Sequence, residues 1–274
     1  MPSATVLFMD AQGCRGPAPS ADPAAFAKSL QKDVHAALRG SQLAIAVYGS
    51  QARGTAKTDS DVDVLQLSND DPGSYSAGLI NVTRYRPRAI LSLALRGSLF
   101  VLHLKTDAVI LLDETRVLTE ALARYKPPES YEPLYLQIRH ASAALSEVLD
   151  TQKYQPRLLK LGIYLLRTAV YAKLAELGRP IFDIERACET LGDPILLEAL
   201  DLRRSEDPLP GSLKLLREAV ARIVGTVPSN PYGSVEALAL ELSAHSNLAA
   251  QLVSQVLATH SEVIDYANLA PSLL

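Results

Sequence analysis

The chain has 274 residues, 48% of them hydrophobic, and a formal net charge of −3. This composition provides for a sizeable core, excludes wholesale disorder and argues against broad non-specific binding of nucleic acid. Cys14 and Cys188 form neither a CxxC pair nor a metal-finger pattern, so we expect two isolated thiols. The N-terminus lacks the basic segment of a signal peptide, and Arg96 interrupts the most apolar stretch, 89–104. We therefore expect a cytoplasmic protein without a membrane partner.

The first part of the chain alternates between predicted strands and predicted helices. Apolar, β-branched runs predict strands, and apolar residues at helical spacing predict helices. The predicted strands cover 5–10, 43–49, 61–67, 79–85 and 108–113. Helices are predicted over 24–40, for one turn at 50–53, and from 87 to about 105, whereas the composition of 68–78 predicts a loop.

After Lys126-Pro127-Pro128 the strand signals almost vanish, and long segments rich in Leu, Ala, Glu and Arg follow. Turn residues divide these segments into predicted helices at 131–150, 156–178, 183–190, 194–204, 211–225 and 231–268. This pattern is typical of a helical bundle. The predicted fold class is α+β, with a mixed sheet and flanking helices in residues 1–125 and an α-helical domain in residues 126–274.

The stretch between the second and third predicted strands combines residues suited to phosphate and metal. Alternation along a strand places Asp61 and Asp63 on the same face, where their carboxylates repel each other unless a cation lies between them. Mg²⁺ prefers such oxygen ligands and commonly shares them with substrate phosphates. Gly49 permits close approach of the backbone to a ligand, and Ser50 offers a hydroxyl group and an N–H group where a short helix begins. This pattern predicts a metal bound by the aspartates beside a phosphate-binding turn.

The spacing of these residues is specific. Gly49-Ser50 is followed by ten residues and then by Asp61-x-Asp63, which resembles the signature of the DNA polymerase beta superfamily of nucleotidyltransferases. The wider stretch "GSQARGTAKTDSDVDVL" looks like the minimal nucleotidyltransferases and the aminoglycoside adenylyltransferases. The resemblance covers about residues 43–113. It implies an NTP donor, expected to be ATP, with Mg²⁺ as cofactor, and transfer of a nucleoside monophosphate to an acceptor with release of pyrophosphate.

The sequence departs from that family at the position of a third carboxylate. The family usually places this acid on the next strand, and the corresponding residue here is Asn81. Two interpretations remain open. Either the enzyme works with two aspartates, or its activity is weak or lost and the fold acts as a nucleotide-binding or partner-binding antitoxin module.

Other polar residues near the motif are assigned more simply. Arg53 and Lys57 lie between the phosphate turn and the aspartates, so they are candidates for binding the nucleotide. Asp107 and His103 are interpreted as structural. The acceptor is left open between a protein hydroxyl group, an RNA end and a small molecule, and a partner toxin in a toxin-antitoxin or defence system is one candidate.

Overall fold

A computed structural model describes residues 23–57, 60–204, 210–245 and 248–258 of the chain. The strand predicted at 5–10 and the end of the helix predicted to reach residue 268 lie outside these described residues.

The described chain contains one mixed β-sheet. Its strands are β1 Ala44–Tyr48, β2 Val62–Leu67, β3 Gly73–Ala77, β4 Ile80–Tyr85 and β5 Val109–Leu112. They lie in the order β3–β4–β2–β1–β5. Strands β2 and β4 are parallel, and all other neighbouring pairs are antiparallel.

Helices cover both faces of this sheet. The helices of the first part are α1 Pro23–Ala37, α2 Gly49–Arg53, α3 Pro87–Leu95, α4 Leu99–Asp107 and α5 Val117–Ala123. On one face Val47, Val64 and Val82 pack with Val34 of α1. The other face carries Leu65 and the neighbouring inward residues of β1, β2 and β4, which pack against α3, α4 and α5. Side chains that alternate along β2 therefore enter two different hydrophobic clusters.

In the second part of the chain, every regular element among the described residues is a helix. Its α-helices are α6 Glu132–Ser142, α7 Thr151–Glu176, α8 Ile184–Leu191, α9 Pro194–Asp201, α10 Ser212–Val224, α11 Val235–Ser243 and α12 Leu248–Leu257. They enclose a third hydrophobic cluster built mainly from Leu, Ala and Val. The long helix α7 contributes more buried side chains to this cluster than any other described helix.

The segment that joins the two parts packs against the corner between α3 and α4. The Lys126 N–H donates to the carbonyl oxygen of Ala94 at 3.0 Å. Gly97 has a φ of +74°, and a Cβ atom there would lie 2.6 Å from the Pro128 ring. The connection is therefore held against the first part of the chain. The boundary at residue 126 stays a prediction.

Several predicted elements differ from the observed ones. The segment predicted as a loop at 68–78 contains strand β3, because its backbone pairs with β4 in a hairpin. The single helix predicted over 87–105 is two helices, since Gly97 turns the chain sharply between them. The helix predicted from 231 onward is divided into α11 and α12, and β2 begins at Val62 rather than Asp61.

No single helix among the described residues has both the length and the apolar character needed to cross a membrane. Only α3 and α4 taken together, bent by 101°, reach the required length and composition.

Candidate active site

Asp63 is half-buried near the start of β2. Its register partners are Tyr48 on β1 and Asn81 on β4. Because side chains alternate along a strand, Asp63 shares the sheet face of Leu65, which is the face covered by α3, α4 and α5. Asp61 is exposed and lies just before β2, so the strand does not determine where its side chain points. The two carboxylates therefore belong to the same end of β2.

The corner between β1 and α2 passes very close to Asp63. Gly49 begins α2 with a φ of +77°, in the left-handed region that favours glycine. A Cβ atom on Gly49 would lie 2.6 Å from Oδ2 of Asp63. The adjacent residue, Ser50, is half-buried, and its carbonyl oxygen accepts the N–H of Thr55 at 3.0 Å. The structure thus places Gly49 against Asp63, as their spacing predicts, with Ser50 next in the chain.

Asn81 lies beside Asp63 on the neighbouring parallel strand. Partners in register present their side chains on the same face, so Asn81 and Asp63 face the same side of the sheet. The Ser76 hydroxyl group of β3 donates to Oδ1 of Asn81 at 2.7 Å. This contact engages the amide oxygen from the β3 side. The strand next to Asp63 therefore presents an amide where a carboxylate would supply a proton acceptor.

The two basic candidates lie in different surroundings. Nη1 of Arg53 donates to Oδ2 of Asp107 at 2.9 Å and lies 3.3 Å from Nε2 of His103. The side chain of Lys57 is exposed, and its backbone N–H donates to the Ser60 hydroxyl group at 2.8 Å. Lys57 is thus accessible to a ligand, whereas Arg53 is engaged within the protein.

Asp107 and His103 are both largely buried beside Arg53. Burial lowers the pKa of His103 below its ordinary value, although the hydrogen bond and charge of Asp107 oppose this shift. Burial raises the pKa of Asp107, but hydrogen bonds from His103 and Arg53, together with the charge of Arg53, outweigh that effect and lower it overall. We expect a neutral imidazole and an ionised carboxylate at neutral pH. The cluster is then an Arg53–Asp107 ion pair with a neutral His103 at its side.

Sequence reasoning assigned Asp107 and His103 structural roles and did not link them to Arg53. The spacing of His103 and Asp107 by four residues within a helix was a signal that the two side chains are neighbours. No local pattern indicates their contact with Arg53. Likewise, the hydrogen bond from Ser76 to Asn81 depends on β3, which the composition did not predict.

Residues 28–126 match a family model described as a nucleotidyltransferase domain. Residues 28–126 are therefore assigned to a nucleotidyltransferase domain. The match includes the whole sheet, the turn at Gly49 and Ser50, and Asp61, Asp63 and Asn81.

No curated protein matches the chain. Among solved structures, a nucleotidyltransferase-like protein from Exiguobacterium sibiricum 255-15 is similar to it, with 17% sequence identity and a TM-score of 0.28, over 73% of each chain.

The donor set of the nucleotidyltransferase domain suits a divalent cation shared with substrate. Asp61 and Asp63 provide hard oxygen donors, and glycine at position 49 lets the backbone turn lie close against Asp63. Among the described residues, no group of three or more His, Cys, Asp or Glu side chains could form a metal site from the protein alone. Mg²⁺ commonly binds through one or two carboxylates together with phosphate oxygens. The residues present fit that kind of site.

Proposed function

We propose that the protein transfers a nucleoside monophosphate from an NTP, with ATP as the expected donor, to an acceptor nucleophile. In this reaction the acceptor forms a bond to the α-phosphorus, the bond between the α-phosphorus and its bridging oxygen breaks, and pyrophosphate leaves. We expect this reaction to take place in the cytoplasm, where NTPs and Mg²⁺ are present.

The observation that carries this proposal is the approach of Gly49 to Asp63. A glycine with positive φ lies directly against a carboxylate, and a side chain there would collide with that carboxylate. A backbone turn and a metal-binding acid are thereby placed within one ligand's reach. That arrangement matches what an NTP with its metal needs, and it lies inside the nucleotidyltransferase domain.

Each residue has a role in this proposal. Asp61 and Asp63 would hold Mg²⁺, and the turn at Gly49 and Ser50 would receive the triphosphate beside them. Lys57 is exposed and would attract the negative charge of the triphosphate. When bound, the metal supplies neutralisation of the charge that develops on the phosphates. Since Asn81 is an amide, the proton of the acceptor would pass to water rather than to this strand.

Calorimetric titration with ATP, in the presence of Mg²⁺ and then of a chelator, tests the proposal. The parent protein should bind ATP in a metal-dependent manner, and the Asp61→Asn/Asp63→Asn double variant should lose that binding. Its fold should remain, because the substitutions relieve repulsion between carboxylates. Asp71→Asn is the matched control, since the side chain of Asp71 is 91% exposed and pairs with Arg86 instead. Metal-dependent binding by the double variant at the strength of the parent would rule out this site.

A second candidate function is supported by Asn81. The Ser76 hydroxyl group engages its amide oxygen, so neither a base nor a strong metal ligand is present at this position. The nucleotidyltransferase domain would then act as a nucleotide-binding or partner-binding antitoxin module. Release of pyrophosphate from ATP distinguishes the candidates, because a binding module retains the nucleotide without cleaving it.

The acceptor defines the biological setting of the transfer reaction. We infer a protein hydroxyl group, an RNA end or a small molecule, with a toxin partner as the protein candidate. ATP labelled at the α-phosphate, incubated with one acceptor of each class, would show which one becomes labelled. Labelling of none, together with pyrophosphate release below background, would favour the binding module.

A further inference from the structure

The guanidinium group of Arg53 is held inside the protein at the end of α2. Its side chain is 20% exposed, and that of its partner Asp107 is 9% exposed. Nη1 donates to Asp107 at 2.9 Å, and Nε is buried without a hydrogen-bond partner. Because α2 begins at Gly49 and ends at Arg53, this contact joins the turn beside Asp63 to helix α4.

The same cluster also contacts the helical part of the chain. The ring of His103 stacks on the ring of Phe182, with centroids 4.4 Å apart and planes 15° apart. Phe182 is buried just before α8, and its carbonyl oxygen accepts the Tyr171 hydroxyl group of α7 at 2.9 Å. The Tyr171 ring itself lies 5.2 Å from that of Phe182. A continuous set of contacts therefore runs from α2 through His103 and Phe182 to α7.

We propose that Arg53 is a positioning residue, through which the helical part of the chain holds the phosphate turn at Gly49 and Ser50 in place. The proposal rests on the proposed function, since it assigns the turn to the NTP. In this proposal Arg53 does not contact the nucleotide as the sequence predicted, but holds the turn that receives the triphosphate. Arg53, Asp107, His103 and Phe182 are called the junction below.

Burial explains why Arg53 stays in the junction. If Arg53 turned outward to bind phosphate, the Asp107 carboxylate would remain largely buried without its cation, which is strongly unfavourable. Burial lowers the pKa of His103 and so disfavours the charged imidazole that would be needed to replace that cation. The ion pair therefore favours the conformation in which α2 remains tied to α4.

Substitution of Asp107 distinguishes a positioning role of Arg53 from direct phosphate binding, because the two roles predict opposite changes in the affinity for Mg²⁺·ATP. Asp107→Asn keeps the size of the side chain but removes the charge that holds Arg53. If Arg53 positions the turn, the affinity for Mg²⁺·ATP should fall by about tenfold, as when a competent conformation is populated about one tenth of the time. If Arg53 binds phosphate directly, its release should leave affinity unchanged or raise it, and either result would overturn the proposal.

The matched control for this substitution is Asp113→Asn. Asp113 is also half-buried, but it accepts the N–H groups of Leu118 and Thr119 at the start of α5 and lies outside the junction. Loss of its charge should leave the affinity for Mg²⁺·ATP as in the parent. Asp107→Glu, which restores the charge, should recover part of the affinity lost in Asp107→Asn. A fall of equal size in Asp113→Asn would indicate a general loss of stability and count against the junction.

Hydrogen exchange tests the junction without any nucleotide. Phe182→Leu keeps an apolar side chain but removes the ring stacked on His103. Exchange at residues 49–57 should become about 2- to 10-fold faster, the range that corresponds to loss of one aromatic pair. The N–H groups of Gly54 and Thr55, which bond to Gln51 and Ser50, report on this segment.

Tyr154→Leu is the matched control, because Tyr154 is a buried aromatic of α7 that bonds to Glu236, away from His103. It should accelerate exchange near α11 and leave residues 49–57 unchanged. Equal exchange at 49–57 in the two variants would overturn the junction even if the parent binds Mg²⁺·ATP. Conversely, failure of the parent to bind Mg²⁺·ATP, with faster exchange at 49–57 only in Phe182→Leu, would overturn the proposed function and leave the mechanical coupling in place.

Discussion

Replacing Gly49 with alanine adds one methyl group at the point where the chain passes closest to Asp63. The new Cβ would lie 2.6 Å from the Asp63 carboxylate oxygen, and the backbone would keep its φ of +77°. Two separate costs follow, one from the backbone conformation and one from the collision. Gly54 offers a way to separate them, because it has a φ of +71° and no atom within 4 Å of its own Cβ position.

The expected magnitudes differ between the two variants. Gly54→Ala incurs only the left-handed conformation, which costs about 1–2 kcal/mol of unfolding free energy. Gly49→Ala incurs that cost and an overpacking cost of about 1–3 kcal/mol if Asp63 keeps its position. If the Asp63 carboxylate rotates away instead, the second cost is relieved, and the lost orientation should weaken metal-dependent ATP binding.

Urea unfolding and calorimetric titration with Mg²⁺·ATP should be performed on both variants. Gly49→Ala should be the less stable of the two, the weaker in binding, or both. Gly54→Ala should bind as the parent does. If the variants match in unfolding free energy and in affinity, Gly49 does not press on Asp63, and the phosphate turn does not lie beside this carboxylate.

Three further predictions concern single residues. Asn81→Asp should raise the occupancy of Mg²⁺ in the presence of ATP, measured by titration with Mn²⁺ as a paramagnetic substitute; an unchanged titration would place the third ligand position elsewhere. Burial raises the pKa of Asp107, but its hydrogen bonds to His103 and to the Arg53 guanidinium group lower it overall. The ionised Asp107 therefore stabilises the folded protein above the pKa of the unfolded state, and this contribution is lost as pH falls through the pKa of the folded state. The difference in unfolding free energy between the parent and Asp107→Asn should therefore shrink below about pH 4 in urea titrations; a difference that persists into stronger acid would contradict the ion pair. Burial raises the pKa of Cys188 to about 11, so its thiol should resist Ellman's reagent at pH 8 until denaturant is added, tested in a variant whose other cysteine is serine.

The parts of the fold that the sequence predicted well are those with strong local signals. Strands β1, β2 and β4 have buried, apolar or β-branched residues on both faces, so their composition identifies them. Strand β3 was missed because Gly73–Ala77 consists of small and polar residues and half-exposed Tyr75. Its conformation comes from pairing with β4, which is a tertiary effect that propensity does not capture. In the same way, Gly97 turns the chain at a φ of +74°, and the Pro128 ring that leaves no room for a side chain there comes from far along the chain.

The candidate site also has features that local patterns predicted and features that depend on tertiary packing. The spacing of Gly49 and Asp63 predicted their proximity, and the order of the strands brought Asn81 to the side of Asp63. The engagement of Arg53 was not predictable, because its partner Asp107 is 54 positions away and belongs to a helix that the sequence joined to its predecessor. Local patterns thus identified the residues around the carboxylates, and only the three-dimensional packing showed which of them are occupied by other contacts.

The arrangement of the sheet has a consequence for the order of folding. Gly49, Asp63 and Asn81 come from the start of α2, from β2 and from β4, all within residues 49–81, so short loops close around them and the entropy lost in bringing them together is small. The stack of His103 on Phe182 instead closes a long loop that includes α5, α6 and α7. We therefore expect the strands around the carboxylates to assemble first. The turn at Gly49 would then become fully rigid only in a later step, when the helical part of the chain has docked and Phe182 stacks on His103.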